Sequence, residues 1–327
     1  MDIVGEIASA HEGRMSTILK MIDVAFNSKC SYIKFQIFRA KELVAKDHPK
    51  YENYHIKEFS EQQWIEIADY CHKKPIKIIA EVFDFKSLII ARKMNVSGYK
   101  VHSSTISDIF LLENASLDNK LFLLSTGGST KEEVYKGLEI IKKNKNNKII
   151  LMHGFQNFPT KLENINLNKI ETLQKEFNLP VGIQEHVEGG TLMSYITPLL
   201  AIAKGCVMIE KHFTLDRSLK ESDYYSSLNP DELIKFTDLV NKTVSVFGSE
   251  SFNMSNKEIE YRNLLKKSIY TLRDIKKGET FSIENICFKR SLEDDRILVD
   301  KIDDILSLKS SCDIGANSRL TWEMIEI

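Results

Sequence analysis

The sequence has no glycine-rich phosphate loop, no CxxC pair and no apolar stretch long enough to span a bilayer. Each absence removes a class of protein. The five cysteines (Cys30, Cys71, Cys206, Cys287 and Cys312) are widely spaced and odd in number. That pattern fits reduced thiols in a cytoplasmic protein rather than a disulfide framework. The longest apolar stretch, near 192–203, contains Pro198 and stops at Lys204, so no membrane-spanning segment is expected. Asp2, Glu6 and Glu12 put acids where a secretory leader has basic and then apolar residues. An excess of one charge is also missing, since 45 Lys and Arg face 46 Asp and Glu. Proteins that neutralise phosphate backbones carry a basic surplus, so a nucleic-acid partner is excluded.

What remains is a globular composition, 43% hydrophobic and 28% charged over 327 residues. That length suffices for one large domain and a small one. Eight short apolar runs recur between residues 2 and 213: Ile3–Ala8, Tyr32–Phe38, Ile78–Phe83, Tyr99–His102, Leu121–Leu124, Ile149–His153, Val181–Ile183 and Val207–Ile209. Helical spacing separates them at Leu88–Met94, Val134–Ile141 and Leu192–Ala203. Near-continuous apolar strands alternating with amphipathic helices imply a parallel sheet covered on both faces. Eight such units fit an α/β fold, a closed (β/α)8 TIM barrel over residues 1–248. A doubly wound open sheet is the alternative. Residues 230–247 read as the last helix, with Asn229 as N-cap and Pro230 first. Residues 249–263 read as a linker with room for a short helix. Residues 264–327 carry a small duplication, Arg273–Ile286 over Cys312–Ile325, with Gly278 and Asn317 at matching turns.

Every run delivers polar groups to its end, the rim where such barrels place their sites. They include Glu6, Lys34, Gln36, Glu81, Lys100, Ser103, Ser125, Gln156, Gln184, His186, Glu210 and His212. Lysines inside apolar strands, Lys34 and Lys100, need compensating anions, so a small anionic substrate is expected. Ser103, Ser125 and the Gly127-Gly128 turn read as a phosphate or carboxylate cradle. His186 and His212 end adjacent strands and could hold a divalent metal with open positions. Glu210 and Lys211 are adjacent in a strand and must face opposite ways.

These residues resemble the N-acetylneuraminate (sialic acid) synthases and the related synthases of pseudaminic and legionaminic acids. The resemblance rests on Glu6-Ile-Ala-Ser-Ala-His11-Glu12-Gly13, Lys34-Phe-Gln36, Lys100-Val-His-Ser103, Leu124-Ser125-Thr126-Gly127, Gln184-Glu185-His186 and Glu210-Lys211-His212-Phe213-Thr214 through Asp223. The tail, with Asp274-Ile275-Lys-Lys-Gly278 and Lys289-Arg290, resembles their small β-rich C-terminal antifreeze-like (SAF-type) domain.

The resemblance implies condensation of phosphoenolpyruvate with an open-chain 2-acetamido aldose, giving a 3-deoxy-2-keto sugar acid and phosphate. It assigns Lys34, Gln36, Lys100, Ser103, Ser125 and Gln184 to phosphoenolpyruvate, and His186 and His212 to Mn²⁺ or Mg²⁺. Glu6, Gln156, Phe158 and Asp223 would contact the sugar, with Glu6 also a proton-transfer candidate. A domain-swapped homodimer would bring Arg290 into the partner's site, although the family's Pro-Gly after it is Ser291-Leu292 here.

Other departures are Gln156-Asn157-Phe158-Pro159 for Asn-x-Tyr-Pro, Gln184-Glu185 for Ser-Asp, Glu81 for threonine and Thr105 for glutamate. They bear on the identity of the sugar more than on the reaction class. Glu81 is read as a carboxylate relocated from position 105 and as a catalytic residue beside Glu6, Lys34 and Lys100. The competing readings are a metal-dependent pyruvate aldolase and a sugar-binding barrel without catalysis.

Overall fold

The computed structural model describes residues 1–292 and 294–326. The chain forms two compact units, Met1–Gly248 and Ser249–Ile327. In the first, eight parallel strands close a barrel in chain order. They are β1 (Asp2–Glu6), β2 (Tyr32–Ile37), β3 (Lys77–Val82), β4 (Gly98–Val101), β5 (Leu121–Ser125), β6 (Lys148–His153), β7 (Val181–Glu185) and β8 (Met208–His212). Each lies on one of the eight apolar runs. Closure pairs β1 with β8, Glu6 opposite His212 and Gly5 opposite Lys211.

The helices start where their side chains can cap them. Thr130 opens Lys131–Lys142 with a capping box to Glu133, and Asn229 opens Pro230–Val246 with one to Glu232. Their apolar faces cover the outside of the barrel in one large core that includes Ile33, Phe35, Trp64, Phe122 and Phe236. A second cluster fills the barrel interior: Val4, Tyr32, Ile79, Leu123, Met152 and Met208. Gly182 makes room for it, since a Cβ there would sit 2.6 Å from Met152 Sδ.

The segment 249–263 groups with the second unit, and helix Asn256–Leu265 occupies part of it behind a Ser255 cap. This unit holds β9 (Lys267–Thr271) antiparallel to β10 (Ile286–Arg290), and β11 (Lys309–Ser310) antiparallel to β12 (Ile325–Glu326). The duplication is visible as near-symmetric bonding. Ile275 and Ile314 exchange backbone hydrogen bonds of 2.8 Å. Asp313 accepts from the Lys277 amide at 2.8 Å, and Asp274 accepts from the equivalent Ala316 amide at 2.7 Å. Gly278 and Asn317 both have positive φ, 80° and 58°. The apolar pairs Ile275/Ile314, Phe281/Leu320 and Ile286/Ile325 share one core. The two copies meet near their starts through an isolated antiparallel bridge between Ile275 and Ile314.

Candidate active site

Successive inward-facing side chains of a strand are two residues apart, so the barrel interior is layered. Above the apolar floor, two residues further along each strand, come Glu6, Lys34, Glu81, Ser125 and Glu210. Register places Lys100 beside Glu81 and Gln184 beside Glu210 in the same layer. Two residues further still are Gln36, His102, His186 and His212. A cavity of about 160 Å³ opens above them, lined among others by Glu6, Lys34, Glu81, His102, Gln156 and Phe158.

The middle layer is a buried ionic network. Lys34 Nζ lies 2.9 Å from Glu6, 3.1 Å from Glu81 and 2.8 Å from Glu210. Lys100 Nζ donates to Glu210 at 2.7 Å and to Gln184 at 2.6 Å. Gln184 Nε2 in turn donates to Ser125 Oγ at 2.6 Å, and Gln36 Nε2 donates to Glu81 at 3.0 Å. The environment splits the two lysines. Burial works against both charges, but Glu210 and Glu81 outweigh it at Lys34 and hold its pKa above the ordinary value. At Lys100 burial wins over Glu210, with Lys34 adding to it, and the pKa falls. Burial would raise the acids, yet the lysines hold Glu210 far below the usual carboxylate range, and Lys34 does the same for Glu81 to a lesser degree.

His186 and His212 face each other across β7 and β8 with ring centroids 5.2 Å apart. Burial lowers the His186 pKa to about 4 and that of His212 well below its usual value. Both rings are therefore neutral near pH 7. His186 Nδ1 donates to the Phe155 carbonyl at 3.1 Å, which leaves Nε2 as a lone pair. His212 Nδ1 is buried without a hydrogen-bond partner, and the Glu6 carboxylate opposite it in register has the Lys34 ion pair as its compensation. Two neutral imidazoles with free ring nitrogens, facing each other beside a buried carboxylate, fit a divalent cation. Among the described residues no group of three or more His, Cys, Asp or Glu is arranged to hold a metal ion by itself.

The loops complete the mouth. Phe158 places its ring edge-on to His186, centroids 4.5 Å apart. Asp223 accepts from the Ser9 amide at 3.3 Å, and burial raises its pKa. Ser103, assigned to phosphoenolpyruvate in the sequence, begins a 3-10 turn and is absent from the cavity lining. Three residues beyond Lys100, it is out of phase with the inward face. His102 takes the inward position instead. The Gly127-Gly128 turn is not part of the cradle either. It borders a separate cavity of about 610 Å³ beside apolar Val134, Leu173 and Phe177, where Lys131 is tied to Glu176. Gly127 is required there by packing, because a Cβ would meet the Gly154 carbonyl at 2.3 Å. Thr105 turns away and donates to the His102 carbonyl at 3.1 Å. Arg290 lies in the second unit, exposed at the end of β10. The residues missed from sequence are His102 and Tyr54, both on the lining, while Glu210 was placed at the rim without a role.

Lys211 faces outward and pairs with Glu185, both fully buried. Lys211 and Glu185 are thus excluded from the cavity.

Comparison with known proteins places this geometry. Residues 21–252 match the NeuB family and residues 266–326 match the SAF domain. The chain is 28% identical over 342 residues to the N,N'-diacetyllegionaminic acid synthase of Legionella pneumophila, covering 99% of this chain and 94% of that one. It is 28% identical over 298 residues to a pseudaminic acid synthase of Campylobacter jejuni, covering 87% and 85%. A crystal structure of the sialic acid synthetase of Leptospira borgpetersenii, in complex with citrate, superimposes with a TM-score of 0.73 at 31% identity. It covers 80% of this chain and 91% of that one. No described helix is long and apolar enough to cross a membrane. The barrel, its layered ionic site and the matched segments together make this chain an enzyme of the NeuB family with a C-terminal SAF domain.

Proposed function

We propose that this enzyme is a nonulosonic acid synthase. It condenses phosphoenolpyruvate with an open-chain 2-acetamido aldose of the mannosamine type or a modified hexose. C3 of phosphoenolpyruvate bonds to the aldehyde carbon, whose oxygen takes a proton. Water adds to C2 and gives up one proton. The bond between C2 and the bridging oxygen breaks as the new C2 hydroxyl passes its remaining proton to the departing phosphate, leaving a 3-deoxy-2-keto sugar acid.

The observation that carries this reading is the layer in which Lys34 and Lys100 sit among Glu6, Glu81, Glu210 and Gln184. Lys34, Lys100, Gln36, Gln184 and Ser125 would hold the three-carbon anion. The two lysines are driven apart in pKa, so Lys34 serves as a fixed charge and Lys100 as the group readier to exchange a proton. Glu6 and Asp223 would accept hydrogen bonds from sugar hydroxyls, with Phe158 against the sugar's apolar face and Gln156 beside it. Glu6, paired with Lys34 in the free enzyme, is the second proton-transfer candidate.

Four carboxyl groups, Glu6, Glu81, Glu210 and Asp223, face two ammonium groups around this cavity. An anion binds there only with added positive charge. His186 and His212 would hold Mn²⁺ or Mg²⁺, whose contribution is to neutralise this excess and polarise the aldehyde oxygen. A domain-swapped homodimer would add Arg290 of the partner chain, and a cytoplasmic setting belongs to the same reading.

The test is phosphate release from phosphoenolpyruvate with a panel of acetamido hexoses, with and without chelator, followed by mass analysis of products. Sugar-dependent phosphate release is expected, and a pyruvate aldolase would release none. Activity unchanged by complete metal removal would overturn the roles of His186 and His212.

A further inference from the structure

His102 is the cavity histidine that the proposed chemistry leaves unused. It stands one inward step above Lys100 and lines the mouth. Its ring is held locally, because Nδ1 accepts from the Ser104 amide at 3.1 Å and lies 2.7 Å from Ser104 Oγ. A nitrogen that accepts carries no hydrogen, so the neutral ring bears its proton on Nε2. Burial keeps that ring neutral, opposed by the charge of Glu81 and assisted by Lys34 and Lys100. His186 has the reverse arrangement, with its hydrogen on Nδ1 and its lone pair on Nε2. One mouth therefore presents one imidazole as a lone pair and another as an N–H donor.

Glu81 ends the neighbouring strand, in register with Lys100. Its Oε2 accepts from Lys34 and Gln36. Its Oε1 has no hydrogen-bond partner among the described residues, and neither does His102 Nε2. A fully ionised oxygen placed here would be repelled by Glu81, and an apolar group would leave both valences unmet. An oxygen that bears a hydrogen meets both, donating to Glu81 and accepting from His102.

We propose that Glu81 and His102 form a donor–acceptor pair that binds a hydroxyl-bearing oxygen of the substrates. The inference rests on the synthase reading and extends it to the specificity of the same cavity. Two substrates can supply such an oxygen: a hydroxyl of the sugar, or the P–OH of a singly protonated phosphate on phosphoenolpyruvate.

The experiment is steady-state phosphate release by the full-length enzyme, its His102→Ala and its His102→Gln variants, each substrate being varied in turn. Melting curves serve as the check on folding. His102→Ala is expected to raise one KM by roughly 5- to 100-fold, the range for stranding a buried partner, and to leave the other within about twofold. Gln restores an N–H donor at nearly the same reach and should recover most of the loss. A shift confined to the sugar KM identifies a sugar hydroxyl. A shift confined to the phosphoenolpyruvate KM, fading as pH rises past the phosphate's last ionisation, identifies the P–OH. If both KM values hold in His102→Ala, or Gln behaves as Ala does, the pair is wrong while the synthase reading stands. If the wild type releases no phosphate with any acetamido hexose, the synthase reading falls and the pair with it.

Discussion

Glu210 and Lys211 are neighbours on β8, each at most 3% exposed, and each buried in an ion pair. They belong to different regions. Glu210 points to the barrel axis and joins Lys34 of β2 to Lys100 of β4. Lys211 points to the helical layer and meets one register partner, Glu185 of β7, which also accepts from the Val187 amide at 2.7 Å. The outer pair is self-neutral and closed. The inner network has more carboxyl groups than ammonium groups and opens on a cavity. Burial and ion pairing alone therefore do not mark a catalytic group. An unbalanced charge next to accessible space does, because it is completed only by a ligand.

Neutralising one group on each face breaks the comparison most directly. Glu210→Gln and Lys100→Ala should lower turnover on the order of 10²- to 10⁴-fold with the fold retained, as seen by phosphate release and circular dichroism. Glu81→Gln should match them, and near-normal turnover in that variant would end its catalytic role. On the outer face the effect moves from rate to stability. Lys211→Met strands the Glu185 charge and should cost about 3–5 kcal/mol in urea unfolding, with the folded fraction still active. Converting Glu185→Leu in the same protein should recover most of that loss. If the double variant is as unstable as the single one, the outer pair is not the self-contained unit described above.

The barrel was legible because its signal is long-range and repeated: eight apolar runs with helical spacing between them. The two lysines were legible as ionisable residues inside apolar runs, and the two facing histidines as ionisable residues just beyond the ends of such runs. What failed was phase. Ser103 has suitable chemistry but is an odd number of residues from Lys100, whereas His102, two residues on, shares its face. Counting by twos from Lys100 leads to His102, which lines the cavity. The same count back from His212 separates Glu210, in phase with it, from Lys211. The Gly127-Gly128 turn misled because a glycine required by packing against the Gly154 carbonyl looks identical in sequence to one that admits a phosphate. In the second unit the duplication was readable, but the reciprocal Asp274 and Asp313 bonds depend on how the two copies meet.

Buried histidines extend the contrast between site and scaffold to pH. His11 is buried outside the cavity, its ring 4.8 Å from that of Phe59, with Nε2 unpartnered. Burial lowers its pKa from 6.5 to about 4. The folded protein keeps this ring neutral while the unfolded chain takes up a proton below pH 6.5. Stability is therefore complete above that pH, declines as pH falls towards about 4, and then levels. The shift corresponds to about 3 kcal/mol at full extent. In urea titrations between pH 7 and 4, His11→Gln should remove that share of the slope. An unchanged slope would assign the acid sensitivity to the cavity histidines.

The smallest effect separates two serines that look alike in sequence. Ser125 ends β5 in phase with the floor and accepts from Gln184 Nε2 at 2.6 Å. Removing it leaves a buried amide short of a partner on the side where Lys100 also binds Gln184. Ser125→Ala should therefore raise the KM for phosphoenolpyruvate by about 10-fold, the worth of one such hydrogen bond. Ser103 makes no such contact and stands off the lining, so Ser103→Ala should change that KM by less than about twofold, in the range of neutral surface substitutions. Equal effects at the two serines would mean that the turn after β4 reorganises around bound substrate and brings Ser103 inward. In that event the inward phase of β4 governs only the free enzyme, and the donor–acceptor pair at His102 would have to form together with that movement.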